Sequence, residues 1–150
     1  ASGSGNSTVI NSTEGTLYFE GSVFEDSDNT FAVSLSDGNS TNRIFLSLET
    51  PASRYRAFST GGADITFQGL DVTSTSKVAV RYSLNNFSLW VDGIKRGEDL
   101  VYAGFTANTL NNLSFDRNSL GELFFYGKTK DVRVYTTALS DAELAILTTI

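Results

Sequence analysis

The chain contains no cysteine and no histidine. The lack of cysteine excludes a disulfide framework and a thiolate site, and the lack of histidine removes the commonest metal ligand. Histidine is also the side chain best suited to proton transfer near neutral pH. Neither a serine–histidine triad nor a cysteine nucleophile can therefore be assembled from these residues.

Basic residues are scarce: 11 lysine and arginine residues stand against 17 acidic residues, for a net charge of −6. A nucleic-acid-binding protein needs a basic stripe that displaces counterions, and the sequence has no such cluster. An anionic membrane surface would repel the chain, and no apolar run approaches the ~18 residues of a spanning helix. We therefore expect no nucleic-acid partner and no membrane insertion.

Proline and tryptophan occur once each, whereas serine, asparagine, glycine and β-branched residues are abundant. Hydrophobic residues make up 40% of the sequence and aromatic residues 12%. This composition is typical of pleated strands joined by tight polar turns. A length of 150 residues fits one domain. The composition thus predicts a single all-β domain.

Residues 1–13 consist almost entirely of Ala, Ser, Gly, Asn and Thr, interrupted by Val9 and Ile10. We interpret this stretch as a tether, either a linker or the scar of a tag, in which Val9 and Ile10 form a short strand. A mature N-terminus left by processing is the alternative. The folded domain is expected to span residues 14–150.

Short apolar runs separated by turn residues predict strands along the rest of the chain. Asp37–Asn39 and the glycine pair at 61–62 are among the turn signals. Many short strands at such spacing favour a two-sheet antiparallel sandwich over βαβ units. The predicted strands are residues 16–20, 31–35, 43–48, 55–58, 77–82, 87–93 and 130–135.

The strands at 77–82 and 87–93 are predicted to form a hairpin around Asn85 and Asn86. Asparagine tolerates the positive φ that a two-residue type I′ turn requires. This register places apolar residues on one face and puts Arg81 opposite Trp90 on the other, as a half-buried pair demands. The apolar pairs are Leu84 with Phe87, Tyr82 with Leu89, and Val80 with Val91.

A short helix is predicted to begin at Asp141. Ser140 and Glu143 have the spacing of a capping box, in which each side chain accepts a hydrogen bond from the other residue's backbone. Leu139 and Leu144 have the spacing of a hydrophobic staple. The expected fold is therefore all-β with one short C-terminal helix.

Two stretches resemble the laminin-G-like, pentraxin- and concanavalin-A-like lectin domains. Lys77–Tyr82 followed by Leu89–Gly93 resembles their central hairpin. The segments Phe125–Lys128, Asp131–Tyr135 and Ala138–Leu144 resemble their C-terminal signature. This second signature is also similar to modules of bacteriophage tail and other virion proteins.

The resemblance implies a two-sheet antiparallel jelly-roll sandwich with a concave face and a rim built from loops. Members of the family bind carbohydrates or proteins, and some are hydrolases, so the fold does not select among these functions. The glucanase branch carries a Glu-x-Asp-x-(x)-Glu strand, because retaining cleavage needs two carboxyl groups ~5–5.5 Å apart. The sequence lacks that spacing. We therefore predict that the domain is not an enzyme.

The resemblance also implies a calcium ion on the rim. Calcium takes six to eight oxygen ligands and needs no fixed linear motif. The alternative is that the candidate residues only form turns. The candidate ligands are Asp26, Asp28, Asp37 and Asn39.

Arg81 and Trp90 are the main candidates for ligand binding. An exposed Trp ring can stack on the C–H face of a sugar, and a neighbouring Arg can bond to hydroxyls or acidic groups. Asp92 could accept hydroxyl hydrogens, and the lesser candidates near turns are Tyr55, Arg56, Tyr102 and Tyr126. The alternative is that the Trp packs beneath a loop with Arg81 lying across it.

We therefore predict a non-catalytic recognition module that binds a cell-surface glycan. It would belong to a larger extracellular or virion protein and have that protein's neighbouring domains as partners. A second hypothesis is a structural or assembly module without a sugar ligand, which would show a broad apolar patch. A glycan hydrolase or lyase is the third.

Overall fold

The computed structural model describes residues 8–24, 30–50, 52–117 and 124–150. These residues form ten strands and one helix. The strands are β1 (Glu14–Val23), β2 (Thr30–Ser36), β3 (Arg43–Glu49), β4 (Arg54–Ser59), β5 (Ala63–Gln68), β6 (Ser76–Ser83), β7 (Asn86–Val91), β8 (Ile94–Asp99), β9 (Asn112–Ser114) and β10 (Gly127–Tyr135), and the helix is α1 (Asp141–Thr148).

The strands form two five-stranded sheets. The first sheet has the order β10-β1-β6-β7-β8, and the second has the order β5-β4-β3-β2-β9. Every pair of neighbouring strands is antiparallel. The predicted all-β, two-sheet antiparallel sandwich with one short C-terminal helix is confirmed.

The hydrophobic core lies between the two sheets. Along each central strand every second side chain is apolar and points inward, because side chains alternate across a strand. On β3 these are Ile44, Leu46 and Leu48, which are at most 1% exposed. Leu17 and Phe19 of β1 face them from the first sheet and are fully buried. Each such burial contributes roughly 1.5–3 kcal/mol.

The hairpin of β6 and β7 forms, but the predicted register is wrong by two residues. Ser83 pairs with Asn86 and Tyr82 with Phe87, so Leu84 and Asn85 occupy the turn. Asn85 has a φ of 56°, and the Leu84 side chain is 69% exposed. A shift of two residues keeps every side chain on its predicted face, since strands alternate with a period of two.

Helix α1 begins where the capping box predicts. The Ser140 side chain accepts a hydrogen bond from the Glu143 backbone at 3.3 Å, and the Glu143 carboxylate accepts one from the Ser140 backbone at 2.8 Å. Leu144 is fully buried in a small cluster with Tyr18 and Trp90. The helix therefore covers part of the outer face of the first sheet.

Three strands were not predicted, namely β5, β8 and β9. They lie at sheet edges, where fewer neighbours demand apolar side chains. At the side of the sandwich β8 approaches β5 so closely that a Cβ on Gly97 would lie 2.5 Å from Cγ2 of Ile65. A Cβ there would force the Ile65 side chain to shift, so glycine suits this close approach of the two strands.

Residues 8–13, the described part of the chain before β1, join the packed domain. Val9 and Ile10 lie outside the strands, so the predicted short strand is wrong. Ile10 is 2% exposed in the core, and the Ser12 hydroxyl accepts a hydrogen bond from the Leu110 backbone at 2.7 Å. Packing therefore begins before residue 14.

Within the described residues no helix is long and apolar enough to cross a membrane.

Candidate functional site

The outer faces of the two sheets differ in chemistry. The first sheet carries the apolar cluster beneath α1. On the second sheet β3 directs Arg43, Phe45, Ser47 and Glu49 outward, because they alternate with its buried aliphatic residues. Strand β4 likewise directs Arg54, Arg56 and Phe58 outward.

Three arginine guanidiniums converge on two stacked rings of this outer face. Phe45 and Phe58 are directly paired across β3 and β4, and their ring centroids lie 4.9 Å apart. The guanidinium carbons of Arg43, Arg56 and Arg117 lie 5.4, 5.6 and 5.4 Å from the Phe45 centroid. We call these five residues the arginine cluster.

Arg56 and Arg43 are held in different ways. Arg56 donates two hydrogen bonds to the Asp64 carboxylate, at 2.8 and 2.7 Å. Arg43 donates from Nη1 to the backbone carbonyl of Arg117 at 3.1 Å, while its Nε is buried and has no hydrogen-bond partner. Within the described ranges neither Arg43 nor Arg117 forms a salt bridge.

The electrostatics of the cluster follow from this arrangement. Burial, and then the charges of Arg117 and Arg56, lower the pKa of Arg43 from its ordinary value. The hydrogen bonds from Arg56 lower the pKa of Asp64. Like charges held close together in a partly desolvated site destabilise one another, and a bound anion would relieve that repulsion.

Hydroxyl groups lie on the same outer face beside the cluster. Phe45 pairs with Ser34 of β2, and Ser34 pairs in turn with Ser114 of β9, with 3.4 Å between their hydroxyl oxygens. On β3, the strand that carries Phe45, the Glu49 carboxylate accepts a hydrogen bond from Ser47 at 2.8 Å. Glu49 also forms an ion pair with Arg54 of β4. The three serines and Glu49 are at most 5% exposed, so the guanidiniums are the polar groups that this face offers to a ligand.

The predicted pair of Arg81 and Trp90 lies elsewhere and is not paired directly. Arg81 lies opposite Ser88, and Trp90 lies opposite Ala79. Trp90 is 5% exposed under α1, and Arg81 bonds to the Asp141 carboxylate at 2.6 Å and the Leu139 carbonyl at 3.1 Å. The prediction of an open stacking surface is therefore wrong. The alternative of a packed Trp fits the geometry, but helix α1 and not a loop covers the ring.

The tyrosines predicted as further ligand contacts are core residues. Tyr55 and Tyr102 are fully buried, and their hydroxyls bond to Ser76 at 2.6 Å and Ser59 at 2.8 Å. Burial raises the pKa of Tyr102 to about 12. Neither ring can reach a ligand on the surface.

Asp92 occupies the turn between β7 and β8 with a φ of 51°. Its carboxylate accepts a hydrogen bond from the Lys77 backbone at 2.9 Å. That bond holds the turn against the start of β6, so Asp92 has a structural role.

Two of the four predicted calcium ligands, Asp37 and Asn39, lie in the turn between β2 and β3. Asp26 and Asp28 lie outside the described residues. Asp37 accepts hydrogen bonds from the Asn39 backbone at 3.0 Å and the Asn42 side chain at 2.8 Å, and Asn39 accepts one from the Thr41 backbone. These oxygens stabilise the turn between β2 and β3. The described part of the chain contains no metal-holding group of three or more His, Cys, Asp or Glu residues.

The sequence analysis missed most of the arginine cluster. A local signal exists for four of its members, since Arg43-x-Phe45 and Arg56-x-Phe58 alternate with buried residues. No local signal marks Arg117, which follows β9 and reaches the cluster only through the pairing of β9 with β2.

A family model described as the concanavalin A-like lectin/glucanases superfamily matches residues 4–145. The chain therefore belongs to this superfamily, which confirms the resemblance to laminin-G-like domains. No curated protein sequence matches the chain.

Solved structures match over nearly the whole chain. The CBM40 module of the Ruminococcus gnavus IT-sialidase has a TM-score of 0.73 at 16% identity, covering 99% of this chain and 94% of that one. Domain 4 of an extracellular GH43 arabinanase from Geobacillus stearothermophilus, in complex with arabinotriose, has a TM-score of 0.75 at 12% identity, covering 96% and 70%.

A pentraxin is similar as well. The native heptameric SAP-like pentraxin from Limulus polyphemus has a TM-score of 0.67 at 11% identity, covering 91% of this chain and 70% of that one. At these identities the likeness shows the shared fold.

Proposed function

We propose that this domain is a non-catalytic carbohydrate-recognition module of a larger extracellular protein. We further propose that it binds acidic glycans by holding a sugar carboxylate on the arginine cluster. One observation carries the proposal: Arg43 and Arg117 are brought together over Phe45 with no salt-bridge partner among the described residues.

A carboxylate matches this site in charge and shape. Guanidinium presents planar forked donors that bind a carboxylate at two points, and the bonds are strong because both partners are charged. Phe45 is 1% exposed, so its ring serves as a floor that orients the guanidiniums.

The matched structures support a carbohydrate over other anions. The Ruminococcus gnavus module has been solved bound to α2,3- and α2,6-sialyllactose, which are acidic oligosaccharides. The arabinanase domain is bound to arabinotriose. We propose carbohydrate binding for this chain because it shares the fold of these modules. We propose that the carbohydrate is acidic because of the arginines of this chain.

The absence of catalysis is part of the proposal. The carboxylates of this face are engaged, Glu49 by Arg54 and Asp64 by Arg56, so neither is placed as a free acid or nucleophile. The bacteriophage or virion setting indicated by the sequence remains a prediction, because the matched proteins are sialidase modules, a pentraxin and an arabinanase domain.

Isothermal titration calorimetry with sialyllactose and neutral lactose tests this function. We expect saturable binding of sialyllactose, none of lactose, and at least a roughly tenfold loss in Arg43→Met or Arg117→Met. Arg133→Met is the matched control, since Arg133 lies on the first sheet and pairs with Asp131 at 2.6 Å. Equal binding of lactose, or full affinity in both cluster variants, would contradict the proposal.

A further inference from the structure

The exposed aromatic side chains of the described residues all lie in one region. Phe24, Phe115, Phe124 and Tyr126 are 40%, 44%, 57% and 59% exposed, whereas the other large exposed apolar residues are aliphatic. Exposed rings cost free energy in water, so their concentration in one place marks a contact surface.

Backbone pairing brings these four rings together from three parts of the chain. The Phe24 N–H bonds to the carbonyl of Tyr126 at 3.3 Å, directly beyond the pairing of β1 with β10. The Phe125 N–H bonds to the carbonyl of Phe115 at 2.8 Å. The tertiary fold, and not a local motif, therefore creates this surface.

Three of the rings point away from the core. Phe125 points inward, since its ring lies 5.2 Å from that of buried Phe19 and 6.2 Å from that of Phe115. Side chains alternate along an extended segment, so Phe124 and Tyr126 point outward on either side of Phe125. Phe24 packs edge-on against Tyr126, with 5.0 Å between centroids. We call Phe24, Phe124 and Tyr126 the aromatic row.

The aromatic row and the arginine cluster are connected through one backbone pairing. Phe124 forms an antiparallel bridge with Asp116, and the next residue, Arg117, places its guanidinium 5.4 Å from the Phe45 centroid. Directly paired residues have their Cα atoms ~4.5–5.5 Å apart. The backbone of Phe124 is therefore paired one residue away from Arg117, and Tyr126 and Phe24 follow farther along.

We propose that the aromatic row binds the sugar residues that follow the acidic one, so that the domain recognises an acidic oligosaccharide and not a single acidic sugar. This inference rests on the proposed function. A pyranose ring has an apolar C–H face that packs on an aromatic ring, while its hydroxyls stay in water. Because Phe124 is paired in the backbone with the residue before Arg117, a ligand of several sugars can span both sites.

The dependence of affinity on ligand length tests the row. Calorimetry compares the monosaccharide N-acetylneuraminic acid with sialyllactose, for wild type and for a Phe124→Ala/Tyr126→Ala double variant. We expect wild type to bind sialyllactose about tenfold more tightly than the monosaccharide. The double variant should bind both compounds with the monosaccharide affinity of wild type.

Two controls separate this inference from the proposed function. Phe115→Ala removes a neighbouring exposed ring whose contacts are with inward-facing Phe125, and it should keep the length dependence. Arg43→Met should weaken the binding of both compounds. If wild type binds neither compound, the proposed function fails and the inference falls with it.

Two results would contradict sugar binding by the aromatic row without contradicting the proposed function. The first is that the difference in affinity between sialyllactose and the monosaccharide persists in the double variant or is missing in wild type. The second is sedimentation showing that wild type self-associates and the double variant does not. That second result would assign the rings to a protein interface.

Discussion

Arg56 and Asp64 form a two-point ion pair across β4 and β5, with Nε–Oδ1 and Nη2–Oδ2 distances of 2.8 and 2.7 Å. Asp64 is paired in register with Phe58, one of the two rings beneath the guanidiniums. The pair thus fixes Arg56 over the floor of the arginine cluster and neutralises one of its three charges. Arg43 and Arg117 then carry the charge available to a ligand.

We expect the Arg56–Asp64 pair to make a pH-dependent contribution to stability. The pKa of Asp64 is lowered in the folded protein, so its contribution is fully present above the unfolded pKa of about 3.9 and disappears as pH falls through the folded value. Because the Asp64 side chain is 47% exposed, the contribution should be only ~0.2–1 kcal/mol.

Urea denaturation of wild type and Asp64→Asn, at pH 7 and below pH 4, measures this contribution. Wild type should be the more stable at neutral pH, and the two proteins should converge in acid. A difference that stays constant across this range would show that the carboxylate charge is not its source.

Arg43→Met should separate stability from binding. The substitution removes a half-buried charge that Arg56 and Arg117 repel, so we expect the free energy of unfolding to stay within about 1 kcal/mol of wild type or to rise. Affinity for sialyllactose should fall at least about tenfold. Urea denaturation and calorimetry on the same preparations check both expectations. A large loss of stability would instead give Arg43 a structural role.

Trp90→Ala should destabilise the domain by about 3–5 kcal/mol, because it empties a buried site beneath α1. At a temperature where the variant remains folded, its affinity for sialyllactose should equal that of wild type. Thermal unfolding followed by circular dichroism, together with calorimetry, gives the two values. A folded Trp90→Ala protein that no longer binds would restore Trp90 as a ligand contact.

The hairpin turn offers a test at two adjacent asparagines. Asn85 has a φ of 56°, which a β-branched residue adopts only with strain, so Asn85→Val should cost roughly 1–3 kcal/mol. Asn86 is the first residue of β7 and has no positive φ, so Asn86→Val should cost less than about 0.5 kcal/mol. Urea denaturation compares the two variants. Similar large costs at both positions would favour the turn centred on Asn85 and Asn86.

The strands and the helix could be predicted because their signals are local. Alternation of apolar and polar residues is set by the period of the strand, which explains why β3, β4, β6 and β10 were found. The capping box around Ser140 was found because both of its hydrogen bonds lie within three residues. The faces of the β6–β7 hairpin were also correct, since an error of two residues leaves them unchanged.

The site could not be predicted in the same way, because it depends on which face another element covers. Arg81 and Trp90 point outward as expected, but the Asp141 end of α1 packs over them. The outer face of the second sheet instead carries the guanidiniums of Arg43 and Arg56.

The sequence by itself therefore determined the class of fold, the faces of the strands and the start of the helix, each through contacts between near neighbours. Only the tertiary structure decided which outer face carries the site. Arg117 joins Arg43 through the pairing of β9 with β2, and Phe124 reaches its place through a bridge to Asp116. Such pairings depend on packing between residues far apart in the chain, and no local pattern encodes them.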